Sequence, residues 1–150
     1  MTVGEVCKRS VVVAAKNETI VEAANHMRAS HVGDLVVVED RQGRRVPIGV
    51  ITDRDIVVGA VAPNAGHIES LLVGDLMTPD VVTARETDPI EAALKKMEEH
   101  GIRRLPVVDG NGALVGIVTL DDALQLLTEQ QIGLVKIVAE EQRHERHFRM

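Results

Sequence analysis

The chain has 150 residues, of which 45% are hydrophobic and 27% charged, the balance of a folded chain rather than a disordered one. Its formal charge is −6, and only 1% of its residues are aromatic, a single Phe148 with no Trp or Tyr. Those figures argue against the basic footprint of a nucleic-acid-binding domain and exclude a site built on aromatic stacking.

One cysteine, Cys7, excludes an internal disulfide, and the first ten residues lack the apolar core of a secretory signal. The longest apolar runs, such as Val11 to Ala15 and Leu35 to Val38, fall far short of the ~20 residues that cross a bilayer. The expectation is a cytoplasmic protein with an aliphatic core, touching neither nucleic acid nor membrane.

In chain order, Val3-Gly4-Glu5-Val6 comes first and recurs as Val73-Gly74-Asp75-Leu76, an offset of 70 positions. The same offset carries Val11-Val12 onto Val81-Val82, Ile20 onto Ile90, Ala23 onto Ala93 and Met27 onto Met97. It also carries the run Leu35 to Val38 onto Leu105 to Val108. A turn from Asp40 to Pro47 is longer in the first copy, and beyond it the offset is 67. Gly49-Val50-Ile51-Thr52 then falls on Gly116-Ile117-Val118-Thr119, and Asp55 on Asp122. Two copies of one unit account for most of the chain.

Each copy predicts the order β-α-β-β-α. The short strands Val11 to Val13 and Val81 to Val82 come first. Helices follow, with Ile20, Ala23, Ala24 and Met27, or Ile90, Ala93, Leu94 and Met97, at helical spacing. Asp88 and Pro89 mark the start of the second of these helices. The unbroken runs at 35–38 and 105–108 suit strands buried on both faces. Third strands, Ile48 to Ile51 and Leu114 to Val118, lead into helices that open at Thr52 and Thr119. A unit of roughly 55–60 residues buries too little surface alone. The expected fold is therefore α/β (α+β), two tandem units packed sheet-to-sheet about a pseudo-twofold axis. The predicted boundaries are 1–66 for the first unit, with Ala62-Pro63-Asn64-Ala65-Gly66 as its linker, 67–132 for the second, and 133–150 for a charged helical tail. Gly133 is expected to interrupt that last helix.

The repeated polar residues are Thr52 and Asp55, and Thr119 and Asp122, each a strand, then Thr-x-x-Asp, then a helix. Threonine with a carboxylate three positions on suits a capping box, worth about 1 kcal/mol with no ligand involved. The same place suits a phosphate, because a helix start presents amides and the positive end of a dipole. An ionised aspartate is an acceptor that takes hydrogen bonds from a ribose diol. The local pattern fits both readings.

The paired units resemble tandem CBS domains, together called a Bateman module. The resemblance runs from about Val3 to about Leu127. It is carried by Val32-Gly33-Asp34-Leu35-Val36-Val37-Val38 with Gly49 to Asp55, and by Gly101-Ile102-Arg103-Arg104-Leu105-Pro106-Val107-Val108-Asp109 with Gly116 to Asp122. It implies a cleft-bearing pseudo-dimer that binds adenine nucleotides, with Asp55 and Asp122 on ribose and Thr52 and Thr119 near phosphate. Arg103 and Arg104 match positions that reach phosphates, and Arg54 lies beside the first motif. Without aromatics, a purine would lie between aliphatic faces of Val12, Val13, Val82, Thr83, Ile51 and Val118; the bland alternative for these valines is simply core.

The copies differ where Gly33-Asp34 stands in place of Arg103-Arg104, which predicts two unequal sites. The implied function is a non-catalytic regulatory module with no cofactor. Its expected ligands are AMP, ADP or ATP, with S-adenosylmethionine or NAD as further candidates, and its bound state passes to an effector protein or a homodimer. The rival is a ligand-free homodimeric scaffold whose Thr-x-x-Asp motifs only cap helices. His144 and His147, near Glu140 and Glu141, form a minor metal candidate, and Cys7 is expected as a small buried hydrophobe.

Overall fold

A computed structural model describes residues 1–149, with side chains to Phe148. The first unit runs α1 (Val3–Val6), β1 (Val13–Ala15), α2 (Ile20–Ser30), β2 (Asp34–Arg41), β3 (Arg44–Thr52) and α3 (Asp53–Ile56). The chain continues through a π-helical turn at Val57–Val61, α4 (Ala62–Asn64) and a 3-10 stretch to Ser70, with non-helical backbone at Asn64 and a kink at His67. The second unit repeats the series as α5 (Val73–Leu76), β4 (Thr78–Pro79), β5 (Ala84–Arg85), α6 (Ile90–His100), β6 (Arg104–Val108), β7 (Leu114–Thr119) and α7 (Leu120–Arg149).

The first sheet has the order β1-β2-β3-β4 and the second β5-β6-β7. In each, the first two strands are parallel and the next pair antiparallel. The predicted runs 35–38 and 105–108 are the central strands: Leu35, Val36 and Val37, like Leu105 and Val107, are at most 1% exposed. Both carry a bulge at the same repeat position, between Val37 and Val38 and between Val107 and Val108. The sheets meet along β3 and β7, so the expected pseudo-symmetric packing is what forms.

Four predicted details differ. The first strands lie two or three residues later than expected, because Ala14 and Ala84 are the small residues that fit fully buried beside β2 and β6. Val12 only touches the ladder's end, its carbonyl accepting the Val36 amide at 3.2 Å. The linker at 62–66 is made of short helical turns with a break at Asn64. Pro63 falls in the last turn of the helical path that begins at Asp53, and it has no amide to donate. The π turn before it, where the Ala62 amide reaches the Val57 carbonyl, accommodates its ring one residue before the path breaks at Asn64. Gly133 does not interrupt α7; one helical glycine costs only about 1 kcal/mol, which its neighbours outweigh. Cys7 is half-buried rather than buried.

Each unit is finished by the other's leading segment. Val73 is buried in the core of Ile20, Leu35, Val37 and Ile51, whereas Val3, Val6 and Cys7 pack with Ile90, Leu105, Val107 and Val118. The docking is the same twice. Val3 and Gly4 donate to the Asp88 and Glu86 carbonyls, and Val73 and Gly74 donate to those of Glu18 and Lys16, all at 2.8 Å. Beyond these turns, β4 pairs with β3, while Lys8 exchanges two 2.9 Å bonds with Ile117 and extends the second sheet in the same way.

Helix α2 ends on His31 at φ 54°, and α6 ends on Gly101 at φ 61°, the matching position. A left-handed conformation strains a branched residue and not glycine. His31→Gly is therefore expected to raise stability by up to about 1 kcal/mol, read as a higher urea midpoint with an unchanged slope.

Candidate functional site

Strands β3 and β7 end on the two threonines, in extended backbone at Thr52 (φ −112°, ψ 162°), and each threonine caps the helix behind it. The Thr52 hydroxyl accepts the Asp55 amide at 3.1 Å, and the Asp55 carboxylate accepts the Thr52 amide at 2.9 Å. The second copy closes the same box at 3.1 and 3.3 Å. Each box uses one carboxylate oxygen and leaves the other outside the cap. That of Asp122 takes Lys8 Nζ at 3.3 Å.

The amides of the two helix starts are occupied differently. At α3, Asp53 donates to the Gly33 carbonyl at 2.9 Å, Arg54 donates to the Asp53 carboxylate at 2.8 Å, and Asp55 donates to Thr52. All three are satisfied, and Asp53 already supplies an anion to the dipole. At α7, Leu120 donates to the Arg103 carbonyl at 2.8 Å and Asp122 to Thr119. Leu120 stands where Asp53 stands in the first copy, while Asp121, which stands at the place of Arg54, supplies that start's second first-turn carboxylate and pairs with Arg103.

The two starts are joined across the axis. Asp34 is the ladder partner of Thr52, and Arg104 is the ladder partner of Thr119. Arg104 Nε meets Asp34 Oδ1 at 3.1 Å. Thr52, Asp34, Arg104 and Thr119 thus form one row across the seam between the units. The Asp34 side chain is 12% exposed. Burial pushes its carboxyl above the ordinary carboxylate range, Arg104 pulls it back, and Asp53 pushes it up again.

Of the predicted site residues, Thr52, Asp55, Thr119 and Asp122 are half-buried at these starts, and Arg54, Arg103 and Arg104 are exposed beside them. Arg103 meets the Asp121 carboxylate at 3.3 Å. Val12 and Val82 lean on the two cores while keeping some surface, and Val13 and Thr83 are also half-buried. Ile51 and Val118 are different. Both are fully buried in the cores, because they alternate with Val50 and Ile117 along their strands, and they offer a ligand no surface. Asp122 borders an open groove of about 450 Å³ shared with the N-terminal segment, and that groove takes in no residue of the 52–55 start.

Lys8, Asp34, Asp53 and Asp121, which partner the expected residues, were not among them. One signal was available for Asp34. It occupies the repeat position of Arg104, and residues at matching positions meet where a pseudo-twofold axis passes. His144 lies 3.6 Å from Glu140 on the exposed helix. No three-residue His, Cys, Asp and Glu cluster able to hold a metal occurs among the described residues.

The family model for the CBS domain matches residues 3–60 and 73–129, so the chain belongs to the CBS-domain family. It is 41% identical over 126 residues to an uncharacterized protein of Methanopyrus kandleri, spanning 84% of this chain and 62% of that one. Among solved structures it resembles the CBS domain pair of protein MJ0100 in complex with 5′-methylthioadenosine and S-adenosyl-L-methionine. The TM-score is 0.74 at 29% identity, covering 87% of this chain and 98% of that one. It also resembles CBSX2 of Arabidopsis thaliana, solved in complex with AMP, with a TM-score of 0.72 at 27% identity, covering 87% and 98%. No described helix is long and apolar enough to cross a membrane.

Proposed function

We propose that this protein is a non-catalytic regulatory module that holds adenosine-containing ligands at the seam between its units. The observation carrying the reading is the row Thr52–Asp34–Arg104–Thr119, which sets both Thr-x-x-Asp starts on one interface. Similarity to CBS pairs solved with AMP and with S-adenosylmethionine supports adenosine as the common moiety. Asp55 and Asp122 would accept from the ribose hydroxyls with the oxygens their caps leave over. Val12, Val13, Val82 and Thr83 would flank the purine.

The copies' difference at Asp34 and Arg104 supports two unequal sites, and the different occupation of the helix-start amides supports one assignment of them. The α7 start, with Thr119, Leu120 in place of Asp53, and Arg103 beside Asp121, would take a phosphate. The α3 start, already supplied with the Asp53 carboxylate, suits an adenosine with no anion at that place. AMP, ADP or ATP would bind the former, and S-adenosylmethionine or NAD are candidates by the same adenosine chemistry. Ligand at the seam would favour one relative angle of the units. The output would pass through an effector or through a homodimer formed by the exposed apolar residues Val57, Val58, Leu124 and Leu127.

Thermal denaturation with AMP, ATP and S-adenosylmethionine tests this. A ligand at 100 times its Kd adds about 2.7 kcal/mol. Asp122→Ala is expected to abolish most of the AMP-induced shift, and Asp55→Ala to leave most of it. Equal losses would overturn the assignment of the two starts. Because both caps are complete without a ligand, a protein that none of these compounds stabilises would instead be a ligand-free scaffold.

A further inference from the structure

The two sheets meet along β3 and β7, and one ion pair crosses that seam. With each leading segment (residues 1–9 and 71–80) counted in the unit it completes, Arg104 with Asp34 is the single ion pair between the units among the described residues. The other cations beside the second start are held within their own unit, Arg103 by Asp121 and Lys8 by Asp122, both at 3.3 Å.

The two ends of the crossing pair are unalike. The Arg104 side chain is 47% exposed and that of Asp34 only 12%. Arg104 shares a sheet face with its ladder partner Thr119, and its long stem lets the guanidinium swing from Asp34 to an anion at the α7 start. Asp34 is short and mostly covered, so it cannot follow. A second carboxylate stands at the same turn, for Asp53 Oδ2 is 3.0 Å from where a Cβ on Gly33 would be. Burial and Asp53 both disfavour the charge on Asp34, and Arg104 is the one opposing influence.

We propose that a ligand phosphate at the α7 start takes Arg104 away from Asp34, so that a phosphate-bearing adenosine unlatches the two units and adenosine alone does not. The inference rests on the adenosine reading above and names how that same site is regulated. Without ligand, Asp34 is the internal anion that occupies Arg104. A phosphate replaces it, and the carboxylate left behind regains water only when the seam beside it opens. The phosphate supplies the differential contact, since a ligand shifts an equilibrium only by what it touches differently in the two states. Adenosine reaches the Thr-x-x-Asp caps and leaves the crossing pair in place. Asp34 thereby sets how strongly the seam discriminates by charge, acting on the phosphate through Arg104.

Calorimetric titration of the full chain with adenosine and with AMP reads the exchange. Asp34→Asn keeps the side chain's size and removes the competing charge. It is expected to raise the ratio of AMP affinity to adenosine affinity by about tenfold or more. Adding Arg104→Gln to Asp34→Asn is expected to return most of that gain. Binding of both compounds with an unchanged or lowered ratio in Asp34→Asn overturns the exchange and leaves the adenosine reading standing, as does a gain that survives Arg104→Gln. If neither compound binds the parent chain or the variants, the adenosine reading falls and the exchange with it. Nitroxide labels at Gln42→Cys and Asn111→Cys, exposed turns at the far ends of β3 and β7, supply the second readout in a Cys7→Ala chain. AMP is expected to shift the distance between the labels, adenosine to leave it, and Asp34→Asn to show the AMP-bound distance without ligand. An unmoved distance, or an equal shift with adenosine, overturns the latch.

Discussion

Gly116→Val is expected to destabilise the protein by about 3 kcal/mol, at the upper end of what overpacking costs. A Cβ at this position would stand 2.7 Å from the Lys8 carbonyl oxygen and 2.8 Å from Cys7 Sγ, so backbone has to move. The segment that moves is the one whose two bonds with Ile117 extend the second sheet. Its displacement draws Val3 and Val6 out of that core. Gly49 has the matching conflict, 2.7 Å from the Thr78 carbonyl oxygen and 2.9 Å from Met77 Sδ, so Gly49→Val is expected to behave alike. Urea denaturation reads both. A loss below about 1 kcal/mol at either position would mean that the crossing segments are held loosely.

Arg104→Ala has the next largest expected effect. It leaves the Asp34 carboxylate, 12% exposed, without its cation. An ionised group stranded in this way costs about 1–3 kcal/mol at pH 7. The cost is one of charge, so it shrinks on acidification. Asp34 already titrates above its ordinary 3.8 because burial disfavours its charge. The folded protein therefore holds that proton more tightly than the unfolded chain does. Stability attributable to this group falls as pH rises from 3.8 through the raised value and stays lower above it. Removing Arg104 widens that window, and denaturation at pH 7 and at acid pH is expected to show the variant's deficit narrowing on the acid side. Asp34→Asn works in the opposite sense, freeing Arg104 and abolishing the slope. A deficit independent of pH would show that Arg104 acts through packing of its stem.

The repeat made the fold legible. An offset that survives several elements fixes their order, and the runs at 35–38 and 105–108 can only be strands buried on both faces. The strand starts were less so, since Val11-Val12 is as apolar as Val13-Ala14-Ala15 and only the size limit beside β2 selects the alanines. The turns of residues 62–66 were hidden because Pro63 and Gly66 look like punctuation; Pro63 does stand at the end of a helical path, but the chain resumes in short turns after the break at Asn64. At the site, the Thr-x-x-Asp caps were readable as local chemistry, while the seam was not. Asp34 reads as a carboxylate hostile to phosphate until its partner across the axis is known. Ile51 and Val118 belong to strands whose alternation settles their direction, and a strict two-residue count would have turned them inward.

Because residues 2–8 and 72–79 change places, the order in which the chain is made matters. As it emerges from a ribosome, the first sheet has no closing strand until Thr78 and Pro79 appear. Val3 and Lys8, synthesised at the outset, wait for Leu105 and Ile117 before they find their partners. The first half can therefore close once residue 79 has emerged, whereas the second half is completed by a segment that has been held open since the start of synthesis.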